Sequence, residues 1–222
     1  MQREELTQSY KFNNWKRKLI DNGLTVKGVE EVYTVRRYNG EVLFSLLLLD
    51  ATTPEGNRIP PVCFLKGEVV CVLICLIDKE TKERYLLLVK QRRICNGGYI
   101  YEHVAGMVDR DDNPLEVAIR EAEEESGMKL TIDQLIPLNK EPYYPSSGTC
   151  DEAIYFYACE IELTKEEIMS YDKKDMGVQY EHERIQTCIV SIPDALKLIT
   201  NVCGLLQVYL YLEAKGEFVI KS

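Results

Sequence analysis

No stretch of the chain reaches the roughly 18 consecutive apolar residues that a membrane-crossing helix needs. Histidine is nearly absent, with His103 and His182 the only two, and no cysteine pair has Cys-x-x-Cys spacing. The usual tetrahedral zinc sets therefore have little to be built from. Positive charge is short as well: Lys+Arg 27 against Asp+Glu 36 leaves a net charge of −9. That balance argues against binding nucleic acid or an anionic membrane through bulk charge. It leaves room for a small phosphate-bearing ligand held by a few local cations or a metal.

The eight cysteines, at 63, 71, 75, 95, 150, 159, 188 and 203, lie mostly inside apolar runs such as "VVCVLICLI" and "FYACEI". Free, buried thiols in a reducing compartment are the expectation. The segment "MQREELTQSYKFNNWKRK" is too polar for a signal peptide, so the expected location is cytoplasmic. With 222 residues and 45% apolar content, the chain can build one sizeable α/β core with a small appended domain.

Residues 10–20, "YKFNNWKRKLI", set Phe12, Trp15, Leu19 and Ile20 at helical spacing. Trp15 reads as part of that packed stripe, with a stacking surface for a ligand or second subunit as the other reading. "EVYTVRRY" and "EVLFSLLLLDA" flank Asn39-Gly40, which predicts a tight hairpin. "TTPEGNRIPP" follows as a loop, so residues 1–60 form a small unit and 61–222 a second one. The second unit opens with a predicted hairpin, "GEVVCVLICLID" and "RYLLLVKQRR", in a covered sheet. "GGYIYEHVAGMV" adds one short strand, "YFYACEIEL" and "RIQTCIV" two more, and "SIPDALKLITNVCGLLQVYLYLEAKGE" a closing helical pair.

Between these lies "NPLEVAIREAEEESG". Asn113 can cap a helix, Pro114 suits its first position, Glu116 has capping-box spacing and Gly127 is the natural stop. On that helix Leu115, Ala118, Ile119 and Ala122 make an apolar stripe. Glu121 and Glu125, one turn apart, flank it; Glu124 is their neighbour and Glu123 projects to the opposite side. Arg120 stands four residues before Glu124, the spacing of a side-chain pair. The geometry leaves two readings open: a solvated acidic face, or a site for a hard divalent cation, which takes clustered carboxylate oxygens.

Gly106, five residues, Asp112, seven residues and "REAEEESGM" together resemble the signature of the Nudix hydrolases, G-x5-E-x7-R-E-U-x-E-E-x-G-U, where U is a bulky aliphatic residue. Gly106, Arg120, Glu121, Glu124, Glu125 and Gly127 match. Asp112 replaces the first glutamate and Ala122 a larger aliphatic residue. "VKQRRICNGGYIYEHVAGMVD" is similar to the segment before this box in ADP-ribose and ADP-sugar pyrophosphatases, with Val104 where proline is usual. "YYPSSGTCDEAIYFYA" resembles plant-type ADP-sugar diphosphatases, and "EHERIQTCIV" their late acidic loop. The likeness covers roughly residues 62–215. The first unit resembles the small dimerising β domain of this subfamily only by position and pattern.

The resemblance implies a Nudix-type α/β/α sandwich with a mixed sheet, an N-terminal β-rich subdomain at 1–60 that dimerises, and a Nudix hydrolase domain at 61–222. It implies Mg²⁺-dependent hydrolysis of ADP-ribose or ADP-glucose to AMP and a sugar phosphate, with Mn²⁺ as a substitute metal. Another nucleoside diphosphate derivative (a UDP-sugar, dinucleotide or oxidised nucleotide) or a non-catalytic nucleotide-binding module are the alternatives. Glu121 and Glu125 would bind metal, joined by the Ala105 carbonyl and by Glu183. Glu181 would be the base, and Glu124 with Arg120 would complete or orient the cluster. Arg93 and Arg92 would meet phosphate, while Glu102, Gly148 and Glu152 would face the substrate. Gly148 is expected to permit a tight turn, and Glu123 to be exposed and dispensable. The partners implied are the nucleotide-sugar and a second copy of the chain.

Overall fold

The computed structural model describes residues 4–110, 113–177 and 184–217. It divides into two compact units. The first takes Met1–Val69 together with Met107–Asp112 and Tyr143–Ile154, and so reaches past residue 60 and gathers two later segments. The second takes the remainder.

In the first unit, helix α1 (Tyr10–Asp21) starts at Ser9, whose side chain accepts the Phe12 amide. Strands β1 (Thr25–Arg36), β2 (Val42–Thr52) and β3 (Val62–Leu65) form an antiparallel sheet in that order. Alternation in β2 turns Leu47, Leu49 and Ala51 inward, where they pack with Leu6, Phe12, Trp15 and Leu65. Trp15 is therefore a core residue, its ring centroid 5.9 Å from that of Phe12, whereas Ile20 at the same helical spacing is exposed. The opposite face of the sheet exposes Tyr33, Leu46, Leu48, Val62 and Phe64. The β1–β2 turn differs from the expected two-residue form. Arg37 N–H donates to Glu41 O at 2.8 Å and Gly40 alone has positive φ, so a longer turn with glycine at its left-handed position joins the strands.

The second unit is built on a mixed sheet. Its strands are β4 (Glu68–Asp78), β5 (Arg84–Arg92), β6 (Tyr99–Glu102), β7 (Val104–Val108), β8 (Ile136–Pro137), β9 (Ala153–Leu163), β10 (Asp175–Met176) and β11 (Ile185–Ser191). The order is β10-β11-β5-β4-β9-β8, with β6 on β5 and β7 on β4. The single strand expected over "GGYIYEHVAGMV" is two, because the chain leaves β5 for β4 at His103.

A short helix, α3 (Lys165–Met169), follows β9, and longer helices cover the sheet. On one side α4 (Ile192–Leu198) and α5 (Val202–Ala214) pack Ala195, Val208 and Tyr211 on Leu73, Cys75, Leu86, Leu88 and Ala158. Strand neighbours of opposite parity, Ile74, Leu76, Leu87 and Val89, are equally buried and face the other way. On that side α2 (Pro114–Ser126) contacts β5 and β11. The long apolar runs of β4 and β5 thus belong to strands covered twice. Two polar anchors fix α5: the Gln207 amide donates to Cys71 O at 3.0 Å and Tyr157 O at 2.9 Å, and the Tyr211 hydroxyl donates to Glu160 at 2.6 Å.

None of the eight cysteines is in a disulfide. Burial pushes the Cys63 and Cys159 thiols up to about 12 and that of Cys75 up to about 11, which keeps them protonated and unreactive.

His103 is 3% exposed, with Nε2 3.3 Å from Gly204 O. Burial lowers its pKa from 6.5 to about 4. Between those values the unfolded chain takes up a proton that the folded chain refuses. Stability is accordingly full above pH 6.5 and is lost as the pH falls toward 4, by about 3 kcal/mol. Urea denaturation at stepped pH should show that loss, and His103→Leu should flatten the slope across the same window; an unchanged slope would assign it to other groups.

Candidate active site

The second unit brings the acidic helix against the turn that precedes it in sequence. Helix α2 forms because Asn113 Oδ1 accepts the Leu115 amide at 3.0 Å and Pro114 occupies the first turn. Glu116 supplies acid to that turn without the expected capping box, since Asn113 spends its oxygen on Leu115. Gly127, at φ 73°, closes the helix in the left-handed region.

The phase of α2 differs slightly from the expected stripe. Val117, Ala118, Ala122, Glu125 and Ser126 are buried, while Leu115 and Ile119 are only half-buried rims of that face. The turn toward Val117 carries Glu125 fully into the protein, at 6% exposed. Its Oε2 accepts the Ala105 amide at 3.1 Å. Glu121, one turn earlier, lies against the next residue: a Cβ on Gly106 would fall 2.1 Å from Glu121 Cγ and 2.3 Å from its Oε1. Only glycine lets the carboxylate sit there.

Arg120 donates to Glu121 Oε1 at 3.1 Å, so the structure pairs it with its immediate neighbour rather than with Glu124. Glu124 is exposed. Glu123 points away, beside Lys129 at 3.3 Å. No basic residue stands in the last turn of α2 to offset these acids.

Two carboxylates and the Ala105-Gly106 backbone thus converge. Hard oxygen donors of this kind fit a divalent cation that keeps waters and phosphate oxygens among its ligands. Among the described residues no three His, Cys, Asp or Glu side chains gather as a complete metal-holding group. A cation here would rest on two side chains plus backbone, water and substrate. Asp112, Glu181 and Glu183 lie outside the described residues, and so does His182.

The expected substrate residues of the second unit pair with groups nearby. Arg93 Nε donates to Glu102 Oε2 at 2.7 Å, which leaves its terminal nitrogens available to an anion. Arg92 donates to Gly97 O at 2.9 Å and stacks over Tyr99 at 4.3 Å. His103, buried and neutral, is structural.

Gly148 and Glu152 belong to the first unit. Glu152 pairs with Lys66. Gly148 has ordinary φ, and a Cβ there would meet nothing within 4 Å. A tight turn is present, with Thr149 N–H donating to Ser146 O at 3.2 Å, but it does not require glycine. Sequence reasoning passed over Asp151, whose Oδ1 accepts the amides of Lys66 at 2.6 Å and Gly67 at 3.1 Å. The acid pair "DE" was the available signal, and it pointed to Glu152 alone.

The profile described as NUDIX domain matches residues 67–196, more than half of the chain. The chain belongs to the Nudix family. Nudix hydrolase 14, chloroplastic, of Arabidopsis thaliana is 28% identical over 95% of this chain and 72% of its own length. The ADP-ribose pyrophosphatase of Bacillus subtilis is 28% identical over 79% of this chain and 86% of its own. A crystal structure described as an ADP compounds hydrolase matches with a TM-score of 0.57 at 17% identity, over 88% of this chain and 97% of that one. At that identity the likeness concerns the fold, the α/β arrangement described above.

In this Nudix chain the contact between Gly106 and Glu121 is open to test. Gly106→Ala should displace the Glu121 carboxylate and weaken Mn²⁺ binding about 10- to 100-fold. Isothermal titration calorimetry measures this, with the thermal midpoint as a check on folding. Unchanged Mn²⁺ affinity in a folded variant would remove Glu121 from the cation site.

Proposed function

We propose that the protein hydrolyses the diphosphate linkage of ADP-sugars, ADP-ribose or ADP-glucose, to AMP and a sugar phosphate, using Mg²⁺ with Mn²⁺ as a substitute. The observation that carries the reading is the buried Glu125 carboxylate one turn from Glu121, both set against the Ala105-Gly106 backbone. The choice of ADP compounds draws support from the names of the Bacillus and crystallographic relatives.

Hydrolysis brings a water oxygen to phosphorus, breaks the bond to the bridging oxygen and returns a proton to solvent. The difficulty is the negative charge already on the phosphates. Glu121, Glu125 and the Ala105 carbonyl would hold the cation, which when bound neutralises phosphate oxygens and lowers the pKa of a water. Arg120 holds Glu121 in place, and Glu124 stands beside the cluster as a solvent-side carboxylate. Glu181 is assigned as base and Glu183 as accessory ligand. Arg93, braced by Glu102, offers a fork to phosphate, with Arg92 beside it. Glu152 and Gly148 are assigned to substrate binding.

A homodimer is part of the proposal. On the outer face of the three-stranded sheet Tyr33, Leu46 and Phe64 stand opposite one another across the strands, as do Leu48 and Val62. All five are exposed, a contiguous apolar patch of the kind that marks an interface. The complement of cysteines outside disulfides supports a reducing location, which we take as the cytoplasm; the Arabidopsis relative is named chloroplastic. Among the described residues no helix is long and apolar enough to cross a membrane.

A panel of nucleoside diphosphate compounds with product identification tests the substrate. AMP and sugar phosphate are expected from ADP-sugars, and exclusive turnover of a UDP-sugar, dinucleotide or oxidised nucleotide would overturn the choice. Glu125→Gln should lower kcat by about a hundredfold or more, since it removes a ligand charge worth several kcal/mol. Glu123→Gln should leave the rate within about twofold of the parent. A folded Glu125→Gln protein with full Mg²⁺-dependent activity would favour a nucleotide-binding role over a hydrolase. In sedimentation, Leu46→Lys should convert a dimer to a monomer; a parent chain that is monomeric at all concentrations would end the dimer proposal.

A further inference from the structure

The first unit contains a cavity of about 520 Å³, within the range of small-molecule sites. It opens between α1, β3 and the segment 144–151. Its apolar lining includes Trp15, Leu19, Leu49 and Ile59; polar side chains come from α1 and its C-cap, with Asn14 and Asn22, and from the later segment, with Ser147, Thr149 and Asp151. No residue of the α2 carboxylate set lines it.

The charges at its wall decide what it can take. Lys11 is committed to Asp109, Nζ to Oδ1 at 2.7 Å, and also donates to Leu43 O at 2.9 Å. Lys18 is committed to Glu68 at 2.6 Å. Asp151 holds two backbone amides through one oxygen, and burial raises its pKa. Each lysine on the wall thus already has a carboxylate, so a phosphate entering here would find no uncommitted cation. Apolar surface beside Trp15 remains, with a carboxylate, hydroxyls and amides as polar partners.

We propose that this cavity is a second ligand site, for an uncharged, flat heteroaromatic molecule of nucleobase to nucleoside size. The ring lies against the Trp15 side of the cavity, and a ligand N–H or O–H meets Asp151 and the Ser147–Thr149 turn. The site goes beyond the hydrolysis proposed above: it shares with that reading only the turn at Gly148, whereas Trp15, Ile59 and Asp151 have no part in the hydrolysis.

Trp15 is the only tryptophan in the chain, so its fluorescence reports the cavity directly. Adenosine and quinoline serve as neutral probes, with AMP as the charged comparison. Saturable quenching is expected from both neutral probes, at least tenfold tighter than any from AMP. Ile59→Phe, which fills the cavity floor, should abolish the quenching while Mg²⁺-dependent hydrolysis without probe stays at the parental rate. Asn22→Phe, at an exposed rim position, repeats the test should Ile59→Phe fail to fold. Absence of saturable quenching by either neutral probe overturns the proposal. So does AMP binding as tightly as adenosine, or quenching that survives a folded filling variant. Loss of hydrolysis by Glu125→Gln with quenching retained would separate this site from the catalytic one. Quenching retained with no hydrolysis in the parent would leave the cavity assignment standing and remove the hydrolase reading.

Discussion

Carboxylates gathered at the C-terminal end of a helix meet the negative end of its backbone dipole as well as one another. The last turns of α2 accept both penalties, and a third at Glu125, whose charge is taken out of water. One backbone amide, from Ala105, offsets part of this cost. Arg120, which donates to Glu121 at 3.1 Å, brings positive charge beside the cluster. The Nudix signature thus describes a helix end crowded with carboxylates, which a cation shared with a phosphate ligand would favour.

Backbone geometry makes that arrangement possible. β7 delivers Ala105 and Gly106 beside the helix, and the missing side chain at 106 is the space that the Glu121 carboxylate fills. The doubly covered strands β4 and β5 hold this turn on a rigid base. Gln207 and Tyr211 tie the far layer to the same strands, so the unit has little freedom to let the helix and the turn drift apart.

Much of this was legible from residue order. Asn113, Pro114 and Gly127 mark both ends of α2 because capping chemistry is local. The signature spacing placed Glu121 and Glu125 together because one helical turn is a fixed length. What was not legible depended on partners distant in sequence. The choice of Val117 over Leu115 as a core residue is made by the sheet beneath, and Arg120 turned to Glu121 rather than Glu124 because Glu121 is anchored against Gly106. The break at His103 carries no proline or glycine and shows only when the chain passes between strands. The cavity beside Trp15 joins α1 to residues more than a hundred positions later, which no periodicity could reveal.

The turn between β5 and β6 holds Cys95, the cysteine that stands exposed while Cys63, Cys75 and Cys159 are sealed inside the fold. It lies two residues from Arg93, the arm assigned to phosphate. A maleimide dye or spin label would therefore attach there first, and would place a spectroscopic observer beside the arm proposed for phosphate.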